Sequence, residues 1–185
     1  EPGRVGPRAE RGRTYKMMGR FEEALTDLDR AVELSPINSW AIARRGEICM
    51  EMERYEEALA DFDWALALKA DDLWAISRRG EAYQRMGRYQ EALADFGRVL
   101  TNDPQNAWVL AHRAETLRLM GQHEGALADF DQTVTMNPDD AWALARRGEV
   151  RRQMGQYDEA LVDLKRAVEL APNNAWILAR RGDAY

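Results

Sequence analysis

Few residues of this 185-residue chain could carry covalent or metal chemistry. It has one cysteine, Cys49, and two histidines, His112 and His123. A zinc site needs several cysteine or histidine ligands at short fixed spacings, and a catalytic nucleophile needs a positioned base. The histidines stand in different segments without a cysteine nearby, and the sequence has no glycine-rich phosphate loop or nucleophile elbow. We therefore predict no catalytic residue, no metal site and no cofactor.

Other side chains recur at intervals of 34 residues, and their chemistry suits binding. The first recurring set is aromatic: Trp40, Trp74, Trp108, Trp142 and Trp176. Four residues after each tryptophan stands an arginine or a histidine: Arg44, Arg78, His112, Arg146 and Arg180. Three residues further on stands an acidic residue: Glu47, Glu81, Glu115, Glu149 and Asp183. An arginine stacked on an exposed indole gains about 0.5–1 kcal/mol. These sets predict either a ligand-binding surface or packing between repeats, and both interpretations stay open.

A second recurring pair is better suited to holding the fold together. Each repeat has an arginine at one phase: Arg11, Arg45, Arg79, Arg113 and Arg147. Sixteen residues later each has an aspartate: Asp27, Asp61, Asp95, Asp129 and Asp163. The planar guanidinium matches a carboxylate through two parallel hydrogen bonds. Because a catalytic pair needs to occur only once, we predict that these pairs connect helices.

The 34-residue period also defines the elements that position these side chains. Five repeats and part of a sixth follow one another without gaps: 5–38, 39–72, 73–106, 107–140, 141–174 and 175–185. Each repeat has the pattern of two helices, and in repeat 2 Ala58, Leu59, Phe62 and Leu66 form one apolar stripe of the second helix. A glycine usually separates the two helices, and Asn or Asp precedes the next repeat as a helix N-cap.

The first helix has two opposite faces. At 100° per residue, Ile42, Gly46 and Cys49 share a narrow stripe toward the partner helix, whereas Trp40 and Arg44 lie on the other side. The tryptophans are therefore predicted to point away from the core of their own repeat and to keep part of each ring exposed.

The same face assignment gives three expectations about stability. Leu93 and Phe96 belong to the core stripe of a second helix, where truncation to alanine costs about 2–5 kcal/mol. Glu81 belongs to the opposite face of a first helix, so its replacement by alanine is expected to change stability by no more than about 0.5 kcal/mol.

This pattern resembles the tetratricopeptide repeat. The resemblance rests on small residues at position 8 of the repeat, aromatic residues at 11 and 17, alanine at 20 and 27, Phe or Leu at 24, and proline at 32. The form RRGE…MGxYxEALADF is similar to repeats common in bacterial proteins. The resemblance implies an all-α fold, a right-handed superhelix of antiparallel helix pairs, with one solenoid domain over 1–185. It also implies that the tryptophan, arginine and glutamate sets line a concave peptide-binding groove.

Composition narrows the class of partner. The chain has 26 Lys and Arg against 32 Asp and Glu, and the net charge of −6 argues against nucleic acid as the partner. No apolar run is long enough to span a membrane, so a membrane is not expected as a partner. A single cysteine fits a reducing compartment, and we expect a cytoplasmic protein.

We predict a scaffold for protein–protein interaction that binds a peptide or protein segment and catalyses no reaction. Its ligand would present apolar or aromatic anchors to the tryptophans, with mixed charge between them. Two alternatives stay open: a self-associating repeat module, or the sensor or regulatory part of a larger multidomain enzyme. Repeat 6 stops within its first helix, so Ile177, Leu178 and Tyr185 are expected to lack a partner helix and to promote self-association through an end.

Overall fold

The computed structural model describes residues 5–183. Within this range the chain forms eleven α-helices and no strand, which confirms the all-α prediction. The helices are α1 (Val5–Met17), α2 (Phe21–Leu34), α3 (Ser39–Glu51), α4 (Tyr55–Leu68), α5 (Leu73–Arg85), α6 (Tyr89–Asn102), α7 (Ala107–Leu119), α8 (His123–Met136), α9 (Ala141–Gln153), α10 (Tyr157–Leu170) and α11 (Ala175–Gly182). None of these described helices is long and apolar enough to cross a membrane.

The chain divides into two compact parts, Glu1–Asp95 and Phe96–Tyr185, and the division falls inside α6. We call them the N-terminal part and the C-terminal part. In both parts a first helix packs on the second helix of its own repeat, as α3 does on α4 and α9 on α10. The second helix also packs on the first helix of the next repeat, as α2 does on α3 and α8 on α9. Within each part, neighbouring repeats therefore bury apolar surface against one another.

The turn inside each repeat needs a left-handed backbone. Gly19, Gly87, Gly121 and Gly155 adopt φ of 69°, 74°, 73° and 76° there, as glycine does without a steric penalty. Repeat 2 has Glu53 at this point, with φ of 59°. Because its Cβ crowds the following carbonyl oxygen, Glu53 carries a conformational cost that the glycines avoid.

Asparagine and aspartate side chains start the first helices, as predicted. Their side-chain oxygens accept a hydrogen bond from a backbone N–H in the first turn: Asn38, Asp72, Asn106, Asp140 and Asn174. Each cap satisfies a donor that the helix itself leaves without an acceptor, which fixes where the first helix begins.

The core of each repeat lies where its second helix meets its first. Phe62, Phe96 and Phe130 are fully buried at one position of the repeat. A Cβ added to Gly46 would lie 3.1 Å from the carbonyl oxygen of Ala58, so only a small residue allows the two helices to approach this closely. Leu93 is partly buried, whereas Phe96, the other predicted core residue of this helix, is fully buried.

The expectation that repeat 6 leaves its apolar residues without a partner is wrong for Ile177. Ile177 is only 2% exposed and belongs to a buried cluster with Leu144, Leu164 and Ala167. It is buried because α11 packs on α10 and α9 of the preceding repeat, which supply the apolar surface that its own second helix would otherwise add. Leu178 is exposed, and Tyr185 lies outside the described residues.

Candidate functional site

The tryptophans of the first helices keep part of their rings accessible. Trp142 is 39% exposed, and the other four are half-buried: Trp40, Trp74, Trp108 and Trp176. This confirms the prediction that Trp74, Trp108 and Trp142 stay partly exposed. We call the surface of these tryptophans, with the basic and acidic residues four and seven positions after each, the first-helix face; each part has its own.

In the N-terminal part, arginine connects the tryptophans of successive repeats. The guanidinium carbon of Arg44 lies 5.7 Å from the ring centre of Trp40 in its own repeat. It lies only 3.8 Å from the ring centre of Trp74 in the next repeat. The sequence predicted the first contact and missed the second, which is the closer one. Arg44 therefore covers one side of the Trp74 indole and joins repeats 2 and 3.

The acidic residues of this face were expected at the surface, and that expectation is wrong for Glu47. Glu47 is 4% exposed, and its carboxylate lies 2.6 Å from Nζ of Lys16, 3.0 Å from Nη1 of Arg44 and 3.8 Å from Nη2 of Arg78. Burial raises the pKa of Glu47, but the hydrogen bonds and charges of Lys16 and Arg44 outweigh burial and hold it below its ordinary value. Glu47 is thus the ionised centre of a cationic cluster.

Glu81 is buried in the same way, at 4% exposure, so the surface position assumed for it is also wrong. Its carboxylate accepts hydrogen bonds from Arg78 at 2.7 Å and Arg85 at 2.6 Å. Helical phase placed Glu81 on the correct face. The longer arginine side chains beside it enclose the shorter glutamate, and helical phase does not register that difference in length.

The C-terminal part has a histidine, His112, at the position where repeats 2, 3, 5 and 6 have arginine. The His112 ring centre lies 3.9 Å from that of Trp108 in its own repeat and 6.1 Å from that of Phe96. Trp142 meets Phe130 edge to face at 6.0 Å. Between them opens a recess, a cavity of about 370 Å³. Its walls are mostly apolar: Ala107, Trp108, Ala111, His112, Thr133, Asn137, Asp140 and Trp142.

In repeat 5 the position equivalent to Arg44 and His112 is again an arginine, Arg146. Its guanidinium carbon lies 5.5 Å from the ring centre of Trp142 and 4.4 Å from that of Trp176 in the next repeat. Burial lowers the pKa of Arg146, against the attraction of Glu115, whose carboxylate lies 3.5 Å away. The guanidinium carbon of Arg180 lies 5.9 Å from the ring centre of Trp176, which is within the range of a cation–π contact.

The acidic residues of this part differ in burial. Glu149 is 6% exposed and pairs with Arg152 at 3.1 Å and Arg180 at 3.8 Å, so the predicted surface position is wrong for Glu149 as well. Glu115 is partly buried and accepts two hydrogen bonds of 2.9 Å from Arg118. The carboxylates of Glu47, Glu81, Glu115 and Glu149 therefore pair with cationic side chains of the chain itself.

The predicted arginine–aspartate pairs are confirmed in all five repeats. In each, Nε and Nη2 of the arginine donate to the two carboxylate oxygens at 2.5–2.8 Å: Arg11–Asp27, Arg45–Asp61, Arg79–Asp95, Arg113–Asp129 and Arg147–Asp163. The hydrogen bonds of Arg11 hold the pKa of Asp27 below its usual range. Because each pair joins the first helix to the second, its role is structural.

Cys49 is buried at 3% exposure. Burial, with a contribution from the charge of Asp61, raises the pKa of its thiol to about 11. The thiol is therefore neutral near pH 7, as expected for a core residue and unlike an activated nucleophile. Within residues 5–183, no three His, Cys, Asp or Glu side chains cluster closely enough to hold a metal ion.

Solved structures share this fold. The chain has 22% identity to a thermophilic TPR protein of Thermus thermophilus, with a TM-score of 0.78, covering 98% of both chains. It has 17% identity to PilF of Pseudomonas aeruginosa, with a TM-score of 0.85, covering 97% of this chain and 86% of that one. A third similar structure is YrrB, described as a TPR protein with an unusual peptide-binding site. It has 20% identity and a TM-score of 0.76, and the match covers 98% of this chain and 94% of YrrB.

Sequence comparison identifies the repeat itself. No curated protein sequence matches the chain. Family models do match: residues 8–38 and 74–106 match the tetratricopeptide repeat, residues 46–71 match the SHNi-TPR, and residues 148–185 match the TPR repeat. These matches fall along most of the chain, on the helix pairs described above. The chain belongs to the tetratricopeptide repeat family.

Proposed function

We propose that this chain is a protein-interaction scaffold that binds a peptide segment of another protein on its first-helix face. The observation that carries the proposal is the recess in the C-terminal part. There Trp142 leaves 39% of its surface exposed beside a cavity of about 370 Å³ that Trp108 and His112 also line. Exposed aromatic rings beside a pocket are typical of the anchor sites that dominate binding energy at interfaces.

The ligand is proposed to present an apolar or aromatic anchor residue. The charged groups of the face are already engaged with one another, as Glu47 is with Lys16 and Arg44 and as Glu81 is with Arg78. A ligand charge would therefore compete with existing ion pairs and gain little. The Trp142 indole is 39% exposed, and covering it removes apolar area from water at about 25 cal/mol per Å².

The remaining predicted contacts belong to the same proposal, as secondary contacts around the anchor. They are the tryptophans, arginines and glutamates of the first-helix faces: Trp40, Trp74, Trp176, Arg44, Arg78, Arg146, Arg180, Glu47, Glu81, Glu115 and Glu149. The peptide-binding site in the name of YrrB supports this class of ligand for a protein of the same fold. No catalytic step is proposed, since the buried acid–arginine pairs recur from repeat to repeat as a scaffold would require.

A selection experiment tests the proposal. Short random peptides displayed on phage are selected on the immobilised chain, and the enriched peptides are synthesised and titrated by calorimetry. We expect an aromatic or large apolar residue in every enriched family, and binding roughly tenfold or more weaker for Trp142→Ala. Peptides enriched only for charge would contradict the apolar anchor.

Trp64→Ala is the matched control. Trp64 is also 39% exposed, but it lies on α4, a second helix away from the first-helix face. Its replacement should leave peptide affinity unchanged, and thermal melts of both variants verify that each is folded. Equal loss of binding in Trp64→Ala and Trp142→Ala would reject the assignment of the site.

A further inference from the structure

The arginine of the structural pairs has a second acceptor that sequence reasoning did not predict. Besides its own aspartate, it donates through Nη1 to an aspartate of the preceding repeat. Three repeats have this bond: Arg45–Asp29 at 3.1 Å, Arg79–Asp63 at 2.7 Å and Arg147–Asp131 at 2.9 Å. Each of these guanidinium groups therefore bridges two carboxylates, one in its own repeat and one in the neighbour.

Repeat 4 lacks the second carboxylate. The residue equivalent to Asp63 and Asp131 is Gly97, 34 residues from each. Arg113 donates to Asp129 through Nε and Nη2, both at 2.7 Å, and within residues 5–183 its Nη1 has no acceptor. Its side chain is 31% exposed, against 22%, 20% and 15% for the three bridging arginines. The missing carboxylate has left one edge of this guanidinium accessible.

The space beside that edge is a cavity of about 270 Å³. Its lining comes from α6, α7, α8 and the turn after α6: Gly97, Leu100, Thr101, Pro104, Leu110, Arg113 and Gln132. A Cβ added to Gly97 would have no heavy atom within 4 Å, so the position is open to a larger group. The cavity therefore has the room that a carboxylate would need beside Arg113.

The other polar side chains of the cavity are already engaged as donors. The hydroxyl of Thr101 donates to the carbonyl oxygen of Gly97 at 2.9 Å. The amide of Gln132 donates to the carbonyl oxygen of Pro104 at 3.1 Å. The Gln132 amide keeps a second N–H. Arg113 is the charged donor among the lining residues, and Leu100, Pro104 and Leu110 supply apolar walls.

We infer that this cavity binds a carboxylate with a short aliphatic tail. The carboxylate would accept a charge-assisted hydrogen bond from Nη1 of Arg113, in the place that Asp29, Asp63 and Asp131 take in the other repeats. The aliphatic tail would pack on Leu100, Pro104 and Leu110. The ligand is a small carboxylic acid or the side chain of a glutamate in a partner protein. This site lies apart from the residues of the first-helix face and does not depend on the proposed peptide binding.

Titration of the full chain with propionate, followed by proton–nitrogen NMR, tests the inference. The readouts are the Gly97 amide and the Nε–H of Arg113, at constant ionic strength against chloride. We expect saturable shifts in the wild type and in Gly97→Ala, which adds a methyl group without an acceptor. Gly97→Asp supplies the carboxylate of the other repeats, so its propionate affinity should fall roughly tenfold or more.

Two results would overturn the inference: no saturable shift in the wild type, or equal affinity in Gly97→Asp and Gly97→Ala. Arg113→Gln should also lose the shifts, and a thermal melt shows whether it remains folded. Because removing Arg113 could unfold repeat 4, Asp63→Gly provides an independent test. It removes the second acceptor of Arg79, so in a Gly97→Asp background propionate should raise the melting temperature of the Asp63→Gly variant and leave that of Gly97→Asp alone unchanged.

A second arm identifies the source of the carboxylate. A short peptide with one glutamate is compared with the same peptide carrying glutamine and with propionate. Tighter binding of the glutamate peptide than of propionate assigns the site to a partner's side chain. Binding of propionate that equals or exceeds it assigns the site to a small acid. Binding of neither, or of the glutamine peptide as well as the glutamate peptide, would contradict a carboxylate site.

Discussion

The first-helix faces of the two parts differ, although the same repeat builds both. In the N-terminal part Arg44 reaches across to the next repeat and lies 3.8 Å from the ring centre of Trp74, while cations surround the buried Glu47. In the C-terminal part the equivalent residue is His112, which stacks on Trp108 of its own repeat. Trp142 of the following repeat is then left 39% exposed beside a cavity.

The difference coincides with one shorter side chain at the same position of the repeat. Two indoles are covered by the arginine of the preceding repeat: Arg44 lies 3.8 Å from the ring centre of Trp74, and Arg146 lies 4.4 Å from that of Trp176. An imidazole is shorter than an arginine side chain and stacks on the ring beside it. We infer that histidine in place of arginine at residue 112 leaves the recess beside Trp142 open.

The largest expected effect tests whether the cores of the two parts contribute equally to stability. Phe130→Ala in the C-terminal part and Phe62→Ala in the N-terminal part each remove a fully buried ring. Each should lower the free energy of unfolding by about 3–5 kcal/mol, through lost burial and the cavity left behind. Chemical denaturation measures both. Costs that differ by more than the spread of such substitutions would mean that the parts differ in their cores as well as in their faces.

The next effect concerns the buried charge cluster of the N-terminal part. Glu47→Gln should lower stability at neutral pH by about 1–3 kcal/mol, because it leaves partly buried cations without a full acceptor. The folded pKa of Glu47 lies below its unfolded value of about 4.3, so its contribution is complete above that pH and is lost as the pH falls through the folded pKa.

Urea denaturation at neutral and at acidic pH measures that contribution. The difference between wild type and Glu47→Gln should shrink on acidification. Glu169→Gln in the C-terminal part is the control, since the Arg166–Glu169 pair is exposed and should contribute at most about 1 kcal/mol. A constant Glu47 difference at both pH values would mean that the carboxylate is not the stabilising form.

Arg44→His should make the N-terminal face resemble the C-terminal one. Loss of the close stacking contact should cost about 1 kcal/mol and expose more of Trp74. Fluorine NMR of fluorotryptophan-labelled protein resolves the individual rings, and the solvent isotope shift of the Trp74 signal should increase. An unchanged Trp74 signal would show that something other than arginine covers this indole.

The smallest effect concerns the turns inside the repeats. Glu53→Gly in the N-terminal part should raise stability by roughly 0.5–1 kcal/mol, since it relieves a left-handed residue at φ of 59°. The reverse change, Gly121→Glu in the C-terminal part, should cost a similar amount. Thermal melts check the pair, and a stabilised Gly121→Glu would contradict the steric explanation.

The fold could be predicted from the sequence because its signals repeat. Five copies of one pattern gave the helix pairs, the N-caps such as Asn38, and the pairing of Arg45 with Asp61. Each of these depends on local geometry or on a constant spacing of 16 residues. The exposure of the tryptophans followed from helical phase alone.

What the sequence did not predict depends on the length and reach of side chains between repeats. Helical phase put Glu47 and Glu81 on the correct face but could not show that arginines bury them. Helical phase also did not predict the hydrogen bond from Arg79 to Asp63 of the preceding repeat. An aspartate recurs at the position of Asp63 in three repeats, and this recurrence could have indicated the contact. Ile177 is buried by helices of the preceding repeat, a contact that the pattern of its own repeat does not predict.

The most direct test of the account is the affinity of one selected peptide for wild type and for His112→Arg, measured by calorimetry. If the short imidazole opens the recess, arginine should cover Trp142 and weaken peptide binding roughly tenfold, with little change in stability. Unchanged affinity in a folded His112→Arg variant would contradict the claim that this recess is the anchor site.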